Sequence, residues 1–366
     1  MSEATRHIAI VGCGQLAQMM AQEGKPLGIT FSFLAEKAED AGCVEGLGTL
    51  VRLDEASNGE ELFQALGCPE VITAERERVD TTLLRELQRF CPVYPDPHVF
   101  EKAQHRLREK LALTASGLPV APFVPAQGCD ELKSALDKLG YPAFIKSCEN
   151  GYDGKNQWRV KDAAQLQEAI EEAQELPCVV EASVEFSCEV SLIGARSVSG
   201  EVKTYPLTEN LHRQGTLLLS KAPFQNAQLL ASARAYLQKL MDDWDYVGVL
   251  SLECFVTSEG LVVNEIAPRV HNSGHWTLAG ADTSQFANHL RAILDMPLGE
   301  TDCPRPAAMV NMLGVDRAPP GENQGVWLYG KSLRRGRKMG HVLLLDDCAT
   351  QLSQRSEAVI ADLYRH

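Results

Sequence analysis

Residues 248–276 read GVLSLECFVTSEGLVVNEIAPRVHNSGHW. Two apolar, β-branched runs flank Ser258-Glu259-Gly260, the composition of a β-hairpin. With the tip centred on Glu259, Glu253 and Glu265 face each other across the two strands. Like charges opposed on a sheet destabilise it. Such a pair calls for a shared proton or a cation, and two hard carboxylates suit Mg²⁺, which takes one or two acids plus substrate phosphates. The competing reading is two solvated acids on an exposed hairpin face, and the apolar flanks LSLECF and LVVNE argue against full exposure. The second strand then runs into Arg269 and His271-Asn272-Ser273-Gly274, a density of ion-binding groups that a strand does not need in order to fold. Four residues past Glu265, Arg269 is close enough to stabilise charge developing on a phosphate or a carboxylated intermediate.

Working outward, Lys146 ends the apolar run FIK and is followed by SCENGYDGKNQ, residues 147–157. A lysine projecting from a strand end beside a glycine-bearing loop can neutralise nucleotide phosphates while loop N–H groups cap them. An ordinary turn reads the same way. VVEASV (179–184) is a strand that either presents its backbone to a base, with Glu185 or Glu189 near a ribose, or is an edge with solvated acids. YPLTENLHRQG (205–215) is a polar turn carrying His212, and a lone histidine is more often structural than functional. KSLRRGRKMGH (331–341) is a basic cluster that suits either a substrate phosphate or a solvated face.

The rest of the chain alternates strands and helices. HIAIVGCGQLA (7–17) reads as strand, glycine turn and helix, the first unit of a parallel sheet. Gly12, Gly14 and Ala17, with Glu36 about 20 residues on, match a dinucleotide fingerprint that has meaning only in its structural context. PEVITAERERV (69–79) is a further strand, and YPDPHVF (94–100) reads as a proline-rich connector. DAAQLQEAIEEAQEL (162–176) and NAQLLASARAYLQKLMDDW (226–244) are helices. Three domains are expected: 1–103, 104–295 with a lid subdomain at about 120–190, and 296–366.

Bulk composition fits a globular enzyme. The 366 residues exceed one small core. No run approaches the roughly 20 apolar residues that span a bilayer, and MSEATRHIAIVG lacks the form of a secretory signal. A net charge of −14 is a poor basis for binding nucleic acid. The 11 cysteines are odd in number and show no short CxxC spacing, the usage of a reducing compartment. The expectation is a cytoplasmic protein with no membrane or nucleic-acid partner, no structural zinc and no catalytic cysteine.

Taken together, GCGQLAQMM, ITAERE, HRLREK, GYDGK, YPLTENLH, LECF, NEIAPRVHNSGHWT and GRKMGH resemble the ATP-grasp superfamily and, within it, the N5-carboxyaminoimidazole ribonucleotide synthase family, over nearly the whole chain. The resemblance implies an α/β (α+β) ATP-grasp fold with an N-terminal Rossmann-like parallel sheet and a small C-terminal β-rich domain. It implies carboxylation of 5-aminoimidazole ribonucleotide by bicarbonate, driven by ATP through carboxyphosphate, in purine biosynthesis. For ATP it implies Arg106, Lys146, the loop Gly151, Tyr152, Asp153, Gly154, Lys155, Asn156 and Gln157, then Glu181, Ala182, Ser183, Val184, Glu189, His212, Asn264 and Glu265. The resemblance also implies that Glu253 and Glu265 hold Mg²⁺ and assigns the substrate contacts that follow. Tyr152, Asp153, Lys155 and Arg269, with His271, Asn272 and Ser273, surround bicarbonate and the ribonucleotide. Lys331, Arg337 and Lys338 take the ribonucleotide phosphate, and Glu75 faces the substrate from the first domain. No biotin is expected, since no AMKM-like segment is present, and a homodimer is implied.

The chain departs from the family pattern in places. Asn150 and Asn156 replace lid glycines, Ser147-Cys148 replace a Thr-Arg or Arg-Arg pair, Glu149 adds charge, Ala17 replaces a glycine, and Arg335 stands at a frequent proline. Other readings are a related ligase, such as a formate-dependent glycinamide ribonucleotide transformylase, a nicotinamide-dependent dehydrogenase, and a binding protein without turnover. The dehydrogenase reading leaves the paired glutamates and the lysine loop unexplained.

Overall fold

The structure, a computed structural model, describes residues 6–55, 58–149, 156–321 and 325–365. Three sheets organise these residues. The first is parallel. β1 (Arg6–Val11), β2 (Ile29–Ala35), β3 (Thr49–Arg52) and β4 (Val71–Ala74) lie in the order β3-β2-β1-β4. Their apolar runs are buried, as a sheet covered by α1 (Gln15–Gly24), α2 (Gly59–Ala65) and α3 (Thr81–Leu87) requires.

The glycine turn after β1 holds an internal anion. Glu75, just past β4, accepts hydrogen bonds from Gly14 N–H and, at 2.8 Å, from Ala17 N–H. A side chain at Gly12 or Gly14 would strike that carboxylate. Glu75 thus occupies the helix N-terminus where a dinucleotide fold takes pyrophosphate. This disposes of the dehydrogenase reading of the motif.

Helices α2, α3, Gly128–Leu139, Thr277–Gly280, Gln285–Ile293 and Ala349–Leu363 go beyond those read from the sequence, and a further one falls where the sequence reads a connector. α4 (Pro97–Ala103) begins inside the stretch read as a connector. The signal is local: the Asp96 carboxylate caps His98 N–H at 3.0 Å, and Pro97 takes the first helical position. α5 (Arg106–Ala115) follows after His105 caps its own start.

A four-stranded sheet comes next: β5 (Phe123–Gln127), β6 (Ala143–Ser147), β7 (Gln157–Val160) and β8 (Pro177–Ala182), in the order β5-β8-β6-β7. It packs on α6 (Gly128–Leu139) and α7 (Ala163–Ala173), with a core confined to its own residues.

The largest sheet has nine strands among the described residues. These are β9 (Cys188–Arg196), β10 (Val202–Thr204), β11 (Thr208–Arg213), β12 (Thr216–Ala222), β13 (Gly248–Thr257), β14 (Gly260–Ala267), β15 (Ala307–Leu313), β16 (Gly325–Leu328) and β17 (Lys338–Leu345). α8 (Ala227–Asp243), α9 (Thr277–Gly280), α10 (Gln285–Ile293) and α11 (Ala349–Leu363) accompany it. The connector at the expected 296 boundary joins α10 to β15, yet β15 pairs with β12, so the C-terminal strands extend the same sheet.

The hairpin β13–β14 pairs Glu253 with Glu265. The route to that pairing differs from the expected one. Thr257 opposes Gly260, so the turn is Ser258-Glu259 and its register leads to Val263 opposite Cys254. A bulge at Asn264 then shifts the register by one and brings Glu265 opposite Glu253.

Candidate active site

A cavity of about 510 Å³ lies between the β5–β8 sheet and the large sheet. The bulge explains one wall. Neighbours on a regular strand face opposite ways, but Asn264 and Glu265 both line the cavity, across from Glu253 and Phe255.

The opposite wall is a buried charge cluster. Glu181 on β8 receives Lys146 Nζ of β6 at 3.0 Å and Lys110 Nζ of α5 at 3.2 Å. Lys110 Nζ also donates to Asn264 O at 2.7 Å, so it ties β8 to the bulge. Arg106 Nη1 reaches Glu265 Oε2 at 3.4 Å. Burial raises the Glu181 carboxyl, but its two ammonium neighbours outweigh that and hold it below its usual range. Burial pushes Lys146 down. Burial also lifts Glu109, beside Glu265, to about 8, so it is neutral at pH 7 while accepting Ile266 N–H at 2.7 Å. Three cations therefore face two anions, an imbalance that an anionic ligand would remove. Glu181 Oε1 and Asn264 Oδ1 are buried with no partner in the protein. Buried polar atoms are normally satisfied, and these two sit where a ligand would supply donors.

His212 Nδ1 lies 3.1 Å from Glu189 Oε2 at another edge. Burial lowers the imidazole, but Glu189, Glu253 and Glu265 together outweigh it and raise it above its ordinary value. His271 Nε2 lies 3.2 Å from Glu253 Oε1, and burial of Glu253 is outweighed by His271, His212 and Arg269, which keep it ionised.

Of the residues expected at ATP, Arg106, Lys146, Gln157, Glu181, Ala182, Ser183, Val184, Glu189, His212, Asn264 and Glu265 line this one cavity. Glu253, His271, Asn272 and Lys338 line it too. Gly151, Tyr152, Asp153, Gly154 and Lys155 lie outside the described residues. Asn156 follows them with a left-handed backbone, φ 48°, and its carbonyl accepts Ser147 N–H at 3.0 Å at the loop base.

Besides Asn156, five expected residues lie off the cavity wall. Arg269 pairs with Glu77 of the first domain and donates to Val270 O at 2.8 Å. Ser273 is fully buried. Lys331 donates to Gln15 at the start of α1, with its ammonium 5.5 Å from the Tyr329 ring centre. Arg337 donates to Ser332. Glu75 caps α1 as described.

Sequence reasoning missed Phe144, Arg159, Phe186, Leu217 and Phe255 on the cavity wall. Period-two spacing could have found two of them, since Phe144 precedes Lys146 by two and Phe255 follows Glu253 by two. Lys110 and Glu109 carried no signal, because a helical Glu-Lys pair reads as solvated.

Among the described residues, no three His, Cys, Asp or Glu side chains group to hold a metal. Glu253 and Glu265 nonetheless fit Mg²⁺ as a pair of carboxylate donors, the remaining ligands being phosphate and water.

Comparison with known proteins gives the fold and the family. Residues 5–104 match the ribonucleotide synthetase pre-ATP-grasp domain, 111–286 the ATP-grasp domain, and 307–355 the C-terminal domain of phosphoribosylaminoimidazole carboxylase. The chain is 40% identical over 360 residues to the N5-carboxyaminoimidazole ribonucleotide synthase of Vibrio cholerae, covering 95% of this chain and 93% of that protein. It superposes on the N5-carboxyaminoimidazole ribonucleotide synthetase of Thermus thermophilus with TM-score 0.89 at 40% identity, covering 98% of this chain and 99% of the other. The Aspergillus clavatus synthase, solved with ADP and 5-aminoimidazole ribonucleotide, superposes with TM-score 0.87 at 26% identity, with 99% of both chains covered.

Proposed function

The chain belongs to the N5-carboxyaminoimidazole ribonucleotide synthase family, and we propose that it carboxylates the exocyclic amine of 5-aminoimidazole ribonucleotide with bicarbonate at the expense of ATP. The observation that carries this reading is the bulge-set pair Glu253 and Glu265 facing an anion-deficient lysine cluster within one cavity. The formate-dependent alternative is not favoured, since the relatives matched along the chain are synthases of the first kind.

In this reading ATP lies along the cavity. Lys146 and Arg106 neutralise its phosphates, and the buried Glu181 Oε1 and Asn264 Oδ1 find donors on the ligand or its solvent shell. Glu253 and Glu265 would hold Mg²⁺, which when bound offsets charge on the phosphates during transfer. Bicarbonate oxygen attacks the γ-phosphorus and ADP leaves. The amine of the ribonucleotide then attacks the carboxyl carbon of carboxyphosphate, and phosphate departs. The reading gives the acceptor to His271, Asn272 and Lys338, which line the same cavity, and to Arg269, Lys331 and Arg337, which lie off its wall. A short-lived mixed anhydride favours a site that excludes water. The reading includes a homodimer, and it includes a reducing cytoplasm, with which the eleven unpaired cysteines are consistent.

The test is ADP release from Mg·ATP with the ribonucleotide and bicarbonate each present or withheld. Release that needs the ribonucleotide, with bicarbonate consumed, is the expected result. Release indifferent to the ribonucleotide overturns the acceptor.

A further inference from the structure

Behind Glu253 runs a line of buried polar side chains, and Ser191, Asn210, Ser220 and Ser273 in it do not line the cavity. Asn210 Nδ2 on β11 donates to Ser191 Oγ on β9 at 2.9 Å. Ser191 Oγ donates to Ser273 Oγ at 2.8 Å. Ser273 Oγ lies 2.8 Å from His271 Nδ1, and His271 Nε2 lies 3.2 Å from Glu253 Oε1. At the far end Ser220 Oγ donates to Asn210 Oδ1 at 2.7 Å, which sets which end of the amide faces Ser191.

The chemistry of these groups gives the line a direction. An amide nitrogen only donates, so Ser191 keeps its own proton to pass onward, and Ser273 does the same. Ser273 N–H also approaches His271 Nδ1, at 3.3 Å. Nδ1 therefore accepts, and the ring proton belongs on Nε2, facing a carboxylate that can only accept. A buried polar group is costly unless bonded, and here each donor in the line finds an acceptor one step nearer the site.

We propose that Asn210, Ser191 and Ser273 are positioning residues: a one-way row of donors that holds His271 as its Nε2–H tautomer and, through it, fixes one oxygen of Glu253. The consequence for Mg²⁺ rests on the metal reading given above, whereas the tautomer does not. Ligating carboxylates are commonly set by such outer partners, whose loss weakens metal affinity roughly 10–100-fold.

Histidine ring ¹⁵N resonances of the full chain, without ligands, read the tautomer directly, with His271 assigned by difference from His271→Asn. The expected wild-type ring has a bare Nδ1 and a protonated Nε2. Ser191→Ala removes the donor behind Ser273, and Asn210→Asp turns the far end into an acceptor. Both are expected to move the Nδ1 resonance toward a tautomer mixture. Both are also expected to raise the Mg²⁺ concentration for half-maximal ATP turnover about tenfold. Ser191→Thr keeps the hydroxyl and restores both readouts. A wild-type proton on Nδ1, or ring resonances unmoved in Ser191→Ala, overturns the proposal even if the Mg²⁺ requirement shifts. Should the ribonucleotide not be the acceptor, the resonance test still decides the relay.

Discussion

The large sheet meets two neighbours, and the two boundaries are built from opposite materials. Toward the first domain the boundary is apolar. Met19, Met20 and Phe31 share one continuous core with Phe286, Leu290 and Ile293 of α10. Polar links are set into it: His289 accepts Val249 N–H at 3.0 Å and bonds Thr73 on β4 at 2.9 Å, Ser284 donates to Glu23 of α1, and Arg269 pairs with Glu77. Toward the β5–β8 sheet the boundary is polar. That sheet keeps its own core, and the links crossing to the rest include Lys110 to Glu181 and Arg106 N–H to Cys148 O at 2.9 Å. The first boundary fuses two domains. The second leaves a separately packed body hung over the cavity by charges, so its placement answers to the ions it meets.

The strongest way to test this contrast is to cut the fused side. Phe286→Ala is expected to cost about 3–5 kcal/mol in a single transition that involves both domains. Two separate melts in calorimetry would show that the core is not shared. On the polar side, Lys110→Met removes one of two ammonium partners of Glu181, at a cost of about 2 kcal/mol. Hydrogen exchange should quicken in β5–β8 and not in α1 or α10, and the KM for ATP should rise. Equal quickening in both places would erase the distinction.

The two sides also differ in their response to pH. Burial holds His289 down at about 4, so its stabilising contribution is complete above about 6.5 and is lost as pH falls toward 4. Glu109 is held up at about 8, so its contribution is complete below about 4.5 and is lost as pH rises through 8. Glu109→Gln should therefore raise the melting temperature at pH 9 and leave it unchanged near pH 4.5. A gain of equal size at both would remove Glu109 from the account. The smallest effect expected is at the loop base. Asn156 holds a left-handed backbone that glycine adopts more readily, so Asn156→Gly should lower the KM for ATP about twofold. An unchanged or raised KM would show that the residue's conformation is not what limits the loop.

Much of the molecule was legible in its sequence, for local reasons. The parallel sheet, the helices at 162–176 and 226–244 and the hairpin follow from short-range periodicity, whereas α6 and the 15-residue α11 go unread. The Glu253–Glu265 pairing was reached by a turn count that was off by one, because a bulge at Asn264 does not show in apolar alternation. Asp96-Pro97 did carry a helix-start signal, hidden by the weight given to nearby prolines. Lys110 and Glu109 could not be placed, since a buried ion is defined by partners 70 to 160 residues away. Ser273 was read as facing a ligand, but its hydroxyl turns inward to Ser191 and His271.

Glu75 in the glycine turn has a consequence for how the protein meets anions from outside. The amides that begin α1 carry the positive end of that helix, and they already face a carboxylate of the same chain. Two of that turn's amides are thus already taken from within. A neighbouring cation is Lys331, an amine that stands beside Gln15. Helix amides ignore amine-directed reagents, whereas a lysine does not. Acetylation of surface lysines, with and without a phosphorylated ligand present, would accordingly report on this corner of the molecule through protection of a single side chain.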